Sequence, residues 1–72
     1  MSSVNAGLSL TRALELKGRS TKWLALSMGM APNAVSRLKR NRSAKLFTIE
    51  CICTALDMKV SEFFALSETN KP

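Results

Sequence analysis

The stretch STKWLALSMGMAPNAVSRLKRN, Ser20 to Asn41, constrains this chain more than any other segment of it. Two short helical patterns meet there at Gly29, and the second opens on Pro32, whose preset φ and missing N–H suit a first helical turn. Ser20 is a good N-cap for the earlier pattern, in which Leu24, Ala25 and Met28 form an inward stripe about two turns long. In the later one, starting at Ala31 or Pro32, Val35 and Leu38 face a core. At about 100° per residue the opposite face gathers Asn33, Ser36, Arg37 and Arg40, with Ala34 on its flank and Lys39 on the other side. That face holds no acid and runs into a knot of positive charge. A helix built only to fill a core has no use for such charge.

The remaining pattern is helical throughout. Ala6, Leu10, Ala13, Leu14 and the stem of Lys17 share one face of a first helix, with Arg12 and Glu15 opposite and Gly18 as its C-terminal cap. A fourth helix is expected over Leu46 to Leu56, with Ile49, Ile52, Cys53 and Leu56 inward and Cys51 pointing away. A fifth starts near Val60 or Ser61 and carries Phe63, Phe64 and Leu66. Strand signals are absent, so the expectation is an all-α bundle of five short helices. Only the ends, MSSVN and SETNKP, look frayed; residues 1–72 form a single domain with its core at about 6–66.

A chain of 72 residues buries only about 60% of its unfolded surface, so its core is thin. Its apolar content of 46% still supports a packed domain. The 11 Lys and Arg against 5 Asp and Glu leave a net charge of +6, which points to a polyanion partner, nucleic acid before membrane. No apolar run approaches the roughly 18 residues of a membrane span, and the N-terminus lacks the pattern of a signal peptide. The expectation is a cytoplasmic protein. Cys51 and Cys53 lie about 200° apart on a helix and cannot bridge each other or share a metal, and the chain has no His, so no metal or other cofactor is expected.

A helix-turn-helix that reads duplex DNA needs a small residue at the helix crossing, a residue tolerating left-handed backbone in the turn, buried residues fixing the crossing, and an outward polar face on the second helix. Ala25, Gly29, the set Leu24, Met28, Met30, Val35 and Leu38, and the set Asn33, Ser36 and Arg37 fill these roles in turn. In this spacing the chain resembles the phage repressor and Cro family, the lambda repressor-like fold. The segment TIECICTALDMKVSEFF is similar to that family's fourth and fifth helices, and the resemblance covers residues from about 8 to 66. Three departures stand out. Asp57 replaces the Gly that often ends the fourth helix, Pro32 replaces a polar residue that often contacts DNA, and Trp23 and Leu26 are apolar where the family is commonly polar. The last two are expected to pack against Val4 and Leu8.

The resemblance implies base contacts from Asn33 and Arg37, with Ser36 and Ala34 as further candidates. Their chemistry suits base reading, since Asn pairs bidentately with adenine, Arg with guanine, and Ala meets a thymine methyl. It also implies phosphate contacts from Thr21 and Lys22 at the start of the second helix, and from Lys39, Arg40, Arg42, Ser43 and Lys45 after the recognition helix. Against these stand plainer roles: a local side-chain bond for Asn33 and a solvated charge for Arg37.

The expected function is sequence-specific regulation of transcription, most like a Cro-type repressor bound as a homodimer to a palindromic operator of double-stranded DNA in a bacterial host cell. Met58, Val60, Phe63, Phe64 and Leu66 are candidates for the dimer surface or the monomer core. An antitoxin, a restriction-modification controller, or a protein-interaction module using Trp23 and Leu26 are the alternatives. With no His, sparse acids and no glycine-rich phosphate loop, neither an enzyme nor a small-molecule substrate is expected.

Overall fold

In the computed structural model, which describes residues 5–67, five helices follow one another with short connections: α1 (Ala6–Lys17), α2 (Thr21–Met28), α3 (Pro32–Arg40), α4 (Leu46–Leu56) and α5 (Val60–Ser67). No strand occurs among the described residues. Each boundary has a local cause. Ser20 accepts a hydrogen bond from the Trp23 N–H at 3.0 Å and so caps α2, while Pro32 occupies the first turn of α3. Gly18 and Gly29 take φ of 66° and 68° as they close α1 and α2. A Cβ raises the energy of that left-handed region, and glycine removes the penalty.

Asp57 adopts the same conformation at φ 57° where α4 ends, so the absent glycine changes no boundary. Its short polar side chain tolerates the left-handed region better than most.

The helices enclose a core of Leu10, Ala13, Leu14, Leu24, Ala25, Val35, Ile49, Ile52, Cys53, Leu56 and Phe63. Helix α1 packs on α5, α3 and α4, and α2 packs on α3 and α4. Burying one Leu, Ile, Val or Phe side chain stabilises the fold by about 1.5 to 3 kcal/mol, and Phe63 is the largest side chain fully inside. Phe63 therefore belongs to the core and is unavailable to a dimer surface. Met58, Val60, Phe64 and Leu66 are half-buried.

Several expectations are corrected. Asn5 is ordered as the N-cap of α1, accepting from the Leu8 N–H at 3.0 Å, and Ser67 is the buried last residue of α5, so neither belongs to a frayed end. The stem of Lys17 is exposed. Cys51 lies outside the core, half-buried in a groove between α2 and α4 with Met28, Met30 and Phe47.

Trp23 and Leu26 are not covered by Leu8 either. Leu26 is 74% exposed, and Trp23 lies in a cleft with Lys17, Ala55, Leu56 and Asp57, beneath the Arg19 guanidinium 4.5 Å from its ring centre. The cause is the length of α1. Leu8 sits in its first turn and Lys17 in its last, about 13 Å apart along the axis. Val4 lies outside the described residues.

Candidate nucleic-acid interface

The outward face of α3 is built by the residues that anchor its inward one. Val35 is fully buried and Leu38 packs against the core, which fixes the rotation of the helix. Asn33 and Arg37 are exposed on the opposite side, one turn apart, and Ala34 and Ser36 are half-buried beside them. The axial rise between Asn33 and Arg37 is about 6 Å, close to two base steps of about 3.4 Å. Among the described residues no hydrogen bond or ion pair occupies Asn33 or Arg37. The local side-chain bond considered for Asn33 does not form, and both groups are free for a ligand.

The cations surround this face. Arg40, Arg42 and Lys45 are exposed, as is Ser43, and no acid among the described residues pairs with them. Lys22 is exposed in the first turn of α2, where unpaired N–H groups and the helix dipole favour an anion. Thr21 and Lys39 are joined: the Lys39 Nζ donates to the Thr21 Oγ1 at 3.1 Å. The start of α2 and the end of α3 thus present one continuous polar edge. All of the sequence-derived base and phosphate candidates lie on α3, at the start of α2, or in the loop leading to α4.

The loop after α3 is held in a way that helix patterning did not indicate. The Ala6 N–H donates to the Arg42 carbonyl and the Gly7 N–H to the Asn41 carbonyl, each at 2.8 Å. Ala44 tucks against the core and the Lys45 carbonyl accepts from the Ile49 N–H at 3.0 Å at the start of α4, so both ends of the loop are fastened. A sequence signal did exist for Gly7. A glycine inside a helical pattern costs about 1 kcal/mol against Ala, so its presence there asks for a packing reason.

Among the described residues, no helix is long and apolar enough to cross a membrane. The fold is similar to the crystal structure of the restriction-modification controller protein C.AhdI from Aeromonas hydrophila, with a TM-score of 0.73 and 32% sequence identity over 85% of this chain and 94% of that one. No curated protein is a significant match to the sequence. Residues 9–68 match the Cro/C1-type HTH DNA-binding domain, and the chain belongs to that family of DNA-binding domains.

Proposed function

We propose that the protein is a sequence-specific, non-catalytic transcription regulator that occupies a near-palindromic operator as a two-fold dimer. The observation that carries this reading is the unpaired, acid-free face of α3, with Asn33 and Arg37 free and the basic loop beside it. In the proposed complex, the N-terminal half of α3 enters the major groove, where Asn33 and Arg37 read bases with Ser36 and Ala34 beside them. Thr21, Lys22, Lys39, Arg40, Arg42, Ser43 and Lys45 hold the flanking phosphates. One domain covers too little DNA for regulatory affinity, and a dimer doubles the contacts. Met58, Val60, Phe64 and Leu66 supply its surface. Operator binding would place the protein on chromosomal or phage DNA in the bacterial cytoplasm.

The likeness to a restriction-modification controller favours a controller over a phage Cro repressor. Selection of bound sequences from a random duplex pool tests the reading. The expected result is enrichment of a palindrome with half-sites about one helical turn apart. For a controller, the natural copies of that sequence lie beside a paired endonuclease and methyltransferase. An unenriched pool would overturn DNA reading and favour a protein-interaction module, for which the exposed Leu26 would be the contact.

A further inference from the structure

The first turn of a helix leaves N–H groups without intrahelical partners. In α1 the Asn5 side chain takes the Leu8 N–H, and the two preceding donors, Ala6 and Gly7, are taken by carbonyls of the loop after α3. The contact is close enough to dictate the residue. A Cβ on Gly7 would overlap the carbonyl oxygens of both Lys39 and Asn41, which are backbone atoms and cannot rotate away. The positive end of the α1 dipole also meets the negative end of α3, so the approach is electrostatically favourable. The two hydrogen bonds turn the Asn41 and Arg42 carbonyls inward, while the Arg40, Arg42 and Lys45 side chains remain exposed on the outside.

We propose that Gly7 is a positioning residue for DNA binding: its missing side chain lets the N-terminus of α1 clamp the loop that presents Arg42, Ser43 and Lys45 to phosphates. The inference rests on the DNA-binding reading above. It adds that the phosphate loop is preorganised by a helix to which that reading gives no DNA contact. Preorganisation matters because ordering a loop at the moment of binding removes affinity that its contacts would otherwise give.

Two variants test it. Gly7→Ala introduces the overlapping Cβ. Ala6→Pro removes one clamp donor while keeping the helix, because proline suits the first helical position and the extended backbone of Asn5 tolerates a following proline. For each, affinity for the selected operator is measured against salt, alongside a melting curve and amide hydrogen exchange. In the wild type, the Ala6 and Gly7 amides should exchange slowly for first-turn positions. Both variants should lose about 10- to 100-fold in affinity at moderate salt, with the slope of log affinity against log salt reduced by roughly 2 to 4 as phosphate contacts disappear. Preference among operator sequences should persist, since Val35 still anchors α3.

A lower affinity with an unchanged slope would mean only that less protein is folded, and would overturn the positioning role. Fast exchange of both amides in the wild type would overturn the clamp itself. Wild-type protein that binds no duplex would instead overturn the DNA-binding reading and, with it, the role given to Gly7.

Discussion

The Lys39 ammonium donates to the Thr21 hydroxyl at 3.1 Å, tying the last turn of α3 to the first residue of α2. The bond holds a cation at the seam between the two helices, where the DNA backbone is expected to run. Lys39→Ala should therefore weaken binding to every sequence by a similar factor and reduce the salt slope by about 1 per protomer, and Arg42→Ala should do the same. If the wild-type dimer neutralises about 6 to 10 phosphates, raising salt from 50 to 200 mM weakens it by roughly 10³ to 10⁵. Titrations of operator and scrambled duplex across salt check both statements. A flat dependence would refute the phosphate-dominated interface.

Asp57 holds a left-handed conformation at φ 57°, which is costly for any residue with a Cβ. Asp57→Gly should relieve part of that strain, offset by the greater freedom of glycine in the unfolded chain. A net gain of about 0.5 kcal/mol is expected, or a rise of about 2 to 4 °C in Tm for a domain this small. Thermal melts of the two proteins decide it, and operator affinity should be unchanged.

The local code of the fold is legible because it acts over a few residues. Ser20 caps the helix that follows it, Gly18 and Gly29 end the helices that precede them, and Pro32 starts α3. The rotation of α3 was equally legible, since Val35 and Leu38 fix which side Asn33 and Arg37 must occupy. Contacts across long sequence separations were not. Helical periodicity places Gly7 and Asn41 on separate elements and says nothing of the bond between their backbones, and it gives no distance from Lys39 to Thr21. Leu26 misled for a related reason: apolar character predicts burial, while Leu26 stays 74% exposed.

Phe63 and Phe64 meet edge to face with ring centres 5.9 Å apart, yet they face different surroundings. Phe63 is buried, and Phe63→Ala should cost about 3 to 5 kcal/mol, much of the stability of a domain this size. Phe64 is half-buried on the proposed dimer face. Phe64→Ser should weaken self-association more than it lowers stability, as read by sedimentation beside a melting curve. Unchanged association would move the dimer surface off α5.

Burial first, then the charges of Glu50 and Glu62, push the Cys53 thiol above its ordinary pKa. The unfolded chain loses this proton at the ordinary thiol value while the folded chain keeps it. The resulting stability is present below that value and fades as pH rises through the higher folded pKa. Denaturant titrations should show a decline above about pH 9 that is smaller in Cys53→Ala. Replacing both cysteines with Ala should lower stability chiefly through Cys53 and leave operator preference intact. If oxidants or chelators switch DNA binding in the wild type alone, the cysteines have a role beyond packing.

Arg37 is exposed one turn after Asn33, unpaired, on a helix whose rotation is fixed by Val35 and Leu38. Its planar guanidinium matches the O6 and N7 acceptors of guanine in the major groove. Arg37→Ala should cost about 1 to 3 kcal/mol on the best operator, relax preference at one base pair in each half-site, and leave the melting curve unchanged. Arg37→Lys should recover only part of the loss, because an ammonium cannot reproduce the two-pronged contact. The measurement is a titration of each variant against operators changed one base pair at a time. Equal losses on all of them would make Arg37 a phosphate contact and leave base reading to Asn33 and Ser36.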